Sequence, residues 1–279
     1  MAFSLFEIST QGGRPIGLYE FRWGTTVWRY TSADRQITFG LDDQGQPAKW
    51  LPVAISDDGV SQGASVTEFE VKLPANLPLV GLFRSTPPAE SIWLKVRRFH
   101  FGDNDATVIW VGTVGNIKRK GRAEAIAFGL PISGTMRRTG LRLCWELDCP
   151  HMLYDSECKV NPADFDHTTT ITALTATRMT VAALGPWPAA RYAGGFFEWA
   201  PAGTTAGTKD RRGIESHMGG LQFAIFGSTD RLVVGQNITM YLGCDLTAAT
   251  CKAVFNNLPN HGGFGFMPKK SPFDGTPVF

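Results

Sequence analysis

Cys149-Pro-His-Met-Leu-Tyr-Asp-Ser-Glu-Cys158 and Gly243-Cys244-Asp-Leu-Thr-Ala-Ala-Thr-Cys251 hold four of the chain's five cysteines. Roughly eighty residues lie between the two pieces, so distant crossings of the chain must meet if the sulfurs are to act together. The intervening residues read as a β-module. Thr168-Thr-Thr-Ile-Thr-Ala-Leu-Thr-Ala-Thr-Arg-Met-Thr-Val181 is rich in β-branched residues and predicts two strands. Phe196 to Trp199, Ile214 to Met218, Gln222 to Phe226 and Ile238 to Leu242 continue the pattern through Gly-rich turns. Past Thr250 a short helix is expected over Cys251 to Phe255, ending at Asn256-Asn257.

Upstream, the first 125 or so residues also read as β-structure. Gly17 to Gly24 and Thr26 to Tyr30 alternate bulky and polar side chains around Gly24-Thr25, a hairpin signature. Ala48 to Ile55 follows a turn at Asp42-Asp43-Gln44-Gly45, and Glu68 to Leu73 is a period-two strand that stops at Pro74. Ile92 to Phe101 and Thr107 to Val114 predict a second hairpin, and Arg122 to Phe128 one more strand. Such short, regular spacing predicts a barrel or a sandwich. The expected fold is therefore mainly β, with barrel- or sandwich-like domains, an inserted β-module and a small irregular cysteine-rich part. The expected boundaries are 1–130 for the first β domain, 131–160 with 243–279 for the cysteine-rich part, and 161–242 for the inserted module.

Composition narrows the function classes. Lys+Arg 27 against Asp+Glu 25 leaves a formal +2, too balanced for a nucleic-acid or anionic-membrane surface. Several strands do set aromatic beside basic residues (Arg22-Trp23, Trp28-Arg29, Trp93 with Lys95, Arg97 to Phe99). That pattern could bind single-stranded nucleic acid by stacking and charge; the plainer reading is that the aromatics fill a core while the cations face water. No apolar run is long enough to span a bilayer, and the first residues lack the basic-then-apolar layout of a signal peptide. The expectation is folding in a reducing cytoplasm, where clustered cysteines call for a metal or redox reading before a disulfide. A phosphate loop, a nucleophile elbow and a zincin helix are absent from the sequence. Cys149 and His151 lie too close in sequence to establish a catalytic pair, so the chain is expected not to be an enzyme.

Four thiolates suit either tetrahedral zinc or an iron–sulfur cluster. Structural zinc usually draws its cysteines from tight knuckles, whereas the gaps here are eight residues and six. Wide gaps suit the larger cubane, with zinc as the lesser possibility and a disulfide pair the remaining one. Cys144 is a spare, either a small buried hydrophobe or a substitute ligand. Arg137, Arg138 and Arg142, just upstream, would favour thiolates if they faced them, and are otherwise a solvated basic loop.

At these residues the chain resembles a family of bacteriophage and prophage tail-tip proteins, to which a component of bacterial gene transfer agents and lambda's minor tail protein L belong. The matching text is the Cys149–Cys158 piece with Leu153-Tyr154 inside it, and Gly243-Cys244-Asp245 running on to Cys251, Phe255, Asn256 and Asn257. Asn260-His-Gly-Gly-Phe264 and Pro268 are similar to the family's closing segment, although His261 stands where Phe is expected; Tyr30 to Asp34 and Trp50 to Ile55 are similar to its first strands. The resemblance implies a tail-tip hub protein of the virion, assembled in the bacterial cytoplasm. It implies a 4Fe–4S cluster on Cys149, Cys158, Cys244 and Cys251. It also implies a ring of copies, as a trimer, between the distal tail ring and the central hub or receptor-binding protein. Membrane insertion and specific nucleic-acid binding are not expected. The competing readings are a cytoplasmic iron–sulfur or zinc enzyme and a β-barrel that binds single-stranded nucleic acid.

Overall fold

The computed structural model describes residues 15–59, 69–102, 105–133 and 145–267. Cys144, the three upstream arginines and Pro268 lie outside the described residues. The fold is mainly β. Two compact units emerge, one from Met1–Arg138 with Ala200–Asp210, the other from Thr139–Trp199 with Arg211–Phe279.

The first unit contains β1 (Pro15–Trp23), β2 (Thr26–Thr31), β3 (Ile37–Leu41), β4 (Pro47–Pro52), β5 (Ser56–Asp57), β6 (Phe69–Pro74), a short helix α1 (Pro78–Leu82), β7 (Ile92–His100), β8 (Ala106–Lys120) and β9 (Glu124–Pro131). They form one nine-stranded sheet in the order β3-β4-β2-β1-β7-β8-β9-β6-β5. The expected hairpins are present: β1 pairs with β2 from Leu18↔Thr31 to Trp23↔Thr26, with Gly24 left-handed at the turn, and β7 pairs antiparallel with β8. In β6, Phe69, Val71 and Leu73 point inward and Lys72 outward, as the period of two dictates.

Among the described residues, ladder bonds do not close this sheet, yet it is strongly curled. Five steps separate β1 from β5 in the sheet, about 24 Å if it were flat. The Tyr19 hydroxyl on β1 nevertheless donates to Asp57 Oδ2 on β5 at 2.5 Å. Val53 to Ile55 joins β4 near one edge to β5 at the other, which again requires the edges to approach. The curl encloses a core of Tyr19, Phe21, Trp23, Phe69, Trp110 and their neighbours. Trp110 stacks on Phe69 at 4.9 Å, and its ring fills the space a side chain at Gly112 or Gly129 would need.

The strands that set aromatic beside basic residues divide between the core and ion pairs. Trp23 is fully buried, whereas Trp93 is 46% exposed. Arg22 donates to both Asp43 oxygens at 2.7 and 2.8 Å, and Glu20 Oε2 lies 3.4 Å from Arg29 and 3.5 Å from Arg97. Residues Ala200–Asp210 belong to this unit through contacts with the β1–β2 turn. Thr26 Oγ1 shares a hydrogen bond with Thr208 Oγ1 at 2.8 Å and accepts from the Thr205 N–H at 2.8 Å.

The second unit is built on a closed barrel of β10 (Asp166–Leu174), β11 (Arg178–Val181), β12 (Phe196–Trp199), β13 (Asp210–Gly219), β14 (Gln222–Ile225) and β15 (Asn237–Tyr241), in the order β10-β11-β14-β13-β12-β15. Its core contains Ile171, Met179, Tyr192, Phe197, Trp199, Ile214, Phe223 and Met240. Cys158, Val160 and Phe255 belong to the same buried cluster, so the cysteine pieces pack onto the barrel. Helix α2 (Ala248–Ala253) begins three residues before the expected Cys251, because Thr247 caps it by accepting the Thr250 N–H at 3.2 Å.

Candidate metal centre

The barrel explains how two distant cysteine pieces meet. Its first and last strands, β10 and β15, pair antiparallel from Asp166↔Tyr241 to Thr170↔Asn237. The chain therefore enters the barrel beside the point where it leaves it. Cys149 and Cys158 precede β10; Cys244 follows β15, and Cys251 lies on α2. All four cysteines are free thiols and line one void, whose walls include Leu153, Val160, Leu246 and Phe255. The void leaves about 10 Å³ for the centre of a water-sized sphere, within about 320 Å³ of atom-free space when adjoining open solvent is counted. Among the described residues, no three His, Cys, Asp or Glu side chains are placed to share a single metal ion. The sulfurs surround a space and do not converge on one point.

Each cysteine is held by local hydrogen bonds. In the first piece, Asp155 Oδ1 accepts from the N–H groups of Glu157 and Cys158 at 2.9 and 2.6 Å, and Oδ2 accepts from Met152 at 2.9 Å. Burial pushes the Asp155 carboxyl up, but these three donors outweigh it and hold it below the usual carboxylate range. The Tyr154 hydroxyl donates to the Leu242 carbonyl at 3.2 Å, linking this piece to the end of β15. In the second piece, Asp245 accepts from the Thr247 N–H and hydroxyl and from the Thr250 hydroxyl. Thr250 in turn accepts from Arg191 at 3.2 Å. A backbone bond from Cys149 N–H to Leu246 O, 2.9 Å, joins the pieces directly.

Glycines permit the close approach. A Cβ on Gly243, the residue before Cys244, would overlap the Ala193 carbonyl oxygen; one on Gly262 would overlap the His151 ring. The four non-glycine residues with left-handed backbone among those described, Tyr154, Lys159, Leu246 and Asn256, all belong to these cysteine segments. Such conformations cost energy and persist where surrounding contacts enforce them.

Among the described residues, three N–H groups approach the sulfurs: Leu246 N–H to Cys244 Sγ at 3.3 Å, Gly262 N–H to Cys149 Sγ at 3.4 Å, and Asn257 Nδ2 to Cys158 Sγ at 3.7 Å. Burial pushes the thiols of Cys244 and Cys251 up, and the other cysteines of the site push them further; for Cys244 the Leu246 N–H pulls the other way. Four thiolates this close repel one another, and bound metal cations reverse that balance. The donors are soft sulfur ligands of the type that holds iron–sulfur clusters and zinc. The donor chemistry thus suits either group, although among the described residues no three side chains are placed around one point as a single zinc requires.

The sequence singled out the four cysteines. Asp245 and Asn257 entered only as part of the resembling text, with no role assigned, and Asp155 was given none either, although Asp155-Ser-Glu-Cys158 has the spacing at which an Asp side chain bonds N–H groups two and three residues on. The histidines looked scattered. His151 and His261 in fact line the void, and His261 has both nitrogens engaged, Nε2 with Leu246 O at 3.3 Å and Nδ1 with Gly263 N–H at 3.2 Å.

A protein-family model described as phage conserved hypothetical protein BR0599 matches residues 190–271. That span holds Cys244, Cys251 and Gly262-Gly263 but neither Cys149 nor Cys158. No curated protein matches the chain. Among solved structures, a chain described as belonging to the virion of native gene transfer agent (GTA) particle matches with a TM-score of 0.74. The match covers 100% of this chain and 99% of that one at 14% identity. At this identity the likeness is one of fold.

Proposed function

We propose that this chain is a structural component of a phage or phage-like virion, a tail-tip hub protein whose four cysteines hold a 4Fe–4S cluster. The observation that carries the virion reading is the fold shared, end to end, with a chain of a gene transfer agent particle. The phage-family match over the second cysteine piece supports it independently. In this reading the two β units are hub domains that join the distal tail ring to the central hub or receptor-binding protein, as a trimer around the path of DNA ejection. The exposed edge strand β3 at one end of the nine-stranded sheet supports association, since an edge offers unpaired backbone groups.

The cluster reading rests on four thiols from two segments around one void, with N–H groups directed at three of the sulfurs. When bound, a cluster supplies four iron–thiolate bonds that crosslink the entrance and exit of the barrel. The chain's own residues do the rest: Asp155 and Asp245 hold the loops, and Leu153, Val160 and Phe255 form the apolar wall against which Cys158 and Cys251 are buried.

Two measurements test the proposal separately. Deleting the gene should give particles without functional tails, seen by negative-stain microscopy and restored by complementation; infective particles with normal tails would end the hub reading. Iron, acid-labile sulfide and zinc on anaerobically purified protein test the site. About four irons and four sulfides per chain are expected. Stoichiometric zinc alone would leave the four-cysteine site and remove the cluster.

A further inference from the structure

Asn257, just beyond α2, joins both cysteine pieces through one residue. Its N–H donates to the Cys251 carbonyl at 3.0 Å, and its own carbonyl accepts from the Asn260 N–H at 3.0 Å. Its side-chain Nδ2 donates to the Cys158 carbonyl and lies 3.7 Å from Cys158 Sγ, while Oδ1 accepts from Asn260 Nδ2 at 2.6 Å. A carbonyl oxygen can only accept, so the contact with Cys158 fixes which way the amide faces. Asn256, left-handed at φ 47°, carries the chain off the helix and lets the next side chain reach the first cysteine piece.

We infer that Asn257 is a positioning residue of the metal centre: its amide sets the place of Cys158 and donates an N–H···S bond to that sulfur. The inference rests on the four-cysteine reading proposed above. A residue that merely ended the helix would need only its backbone bonds. The side chain goes further, to the one cysteine on the opposite piece that is buried against the barrel.

The test uses the full chain with Asn257→Asp, which keeps the shape but replaces the donor by an acceptor, and Asn257→Ala, with circular dichroism as the check on folding. In metal-free, reduced protein, alkylation of each cysteine is timed by peptide mass spectrometry. Both variants should expose Cys158 roughly tenfold faster, the equivalent of one net hydrogen bond, with smaller changes at Cys149 and Cys244. In protein loaded with iron and sulfide, both should release iron faster to a chelator and show a lower reduction potential, because an N–H···S bond favours the reduced cluster. Unchanged Cys158 reactivity with an unchanged potential would overturn the inference. So would loss of the barrel's circular dichroism in both variants, which would make Asn257 a general folding residue. If the wild-type chain takes up no iron and sulfide, the cluster reading fails, and Cys158 alkylation still decides the part played by Asn257.

Discussion

Replacing Asp57 with asparagine should open the seam where the first unit's sheet comes round on itself. The Asp57 carboxylate accepts from Tyr19 at 2.5 Å, Arg98 at 2.6 Å and the Gly59 N–H at 3.0 Å. Its side chain is 2% exposed, that of Arg98 26%. Burial alone would push this carboxyl up; the bonds from Arg98 and Tyr19 outweigh it and hold it below the usual range. Burial, reinforced by Asp57, pushes the Tyr19 hydroxyl up, so Tyr19 stays protonated and donating. Asparagine keeps the shape, removes the charge and turns an NH₂ towards one of the donors. Breaking a buried ion pair costs about 3–5 kcal/mol. Arg98 regains water easily, so the lower end applies, about 3 kcal/mol. The sign with pH follows from the depressed carboxyl: its contribution is complete above the unfolded value of about 3.9 and fades as pH falls through the folded one. The gap between wild type and variant should therefore be full at pH 7 and shrink at acid pH. The two units need not unfold together, so the assay should be local. Hydrogen exchange of peptides from β1, β6 and β7 under a urea series, corrected for intrinsic rates, provides it. A gap below about 1 kcal/mol at pH 7, or an equal gap at both pH values, would refute the reasoning.

Other perturbations have equally definite outcomes. Trp110→Ala should lower the stability of the first unit by about 3–5 kcal/mol, read in the same exchange experiment, because it empties the space between Phe69, Gly112 and Gly129. In protein reconstituted with iron and sulfide to test the proposed cluster, Gly243→Ala should displace Cys244 from the void and lose the iron that the wild-type chain keeps on a desalting column, since no small shift relieves the overlap with the Ala193 carbonyl. Lys159→Gly should stabilise the second unit slightly, by about 0.5 kcal/mol in thermal unfolding, because Lys159 is exposed and holds φ 61°.

Strand content was legible wherever period-two alternation is uninterrupted, as over Phe69 to Leu73 and Ile92 to Val96. It was understated where glycine breaks the pattern. Strand β8 runs to Lys120, well past Val114, because Gly112 and Gly115 serve Trp110 and a bulge and do not end the strand. The curl of the first sheet was illegible, since it depends on a short Asp57 edge strand meeting Tyr19 from far along the chain. At the site, the cysteines could be picked out by residue type alone. The roles of Asp155 and Asn257 could not be, because they lie in which backbone groups the side chains reach, and that is decided by the left-handed turns at Tyr154 and Asn256. The aromatic–basic strands show what composition alone leaves out: Trp23 is core and Arg22, Arg29 and Arg97 lie beside Asp43 and Glu20, whereas Trp93 on the same sheet stays 46% exposed.

The segment Ala200–Asp210 has a practical outcome for anyone who would divide this protein. The chain passes from the first unit to the second, returns for Ala200–Asp210, and leaves again. A single protease cut after Arg138 would thus leave two fragments still held together, the second one contributing Thr205 and Thr208 to the hairpin of the first. Truncation at the same place would strip the β1–β2 turn of those threonines and leave the buried Thr26 hydroxyl without its partners. Separating the units cleanly takes a shortcut between Trp199 and Arg211 as well, with the excised piece restored to the first unit in trans.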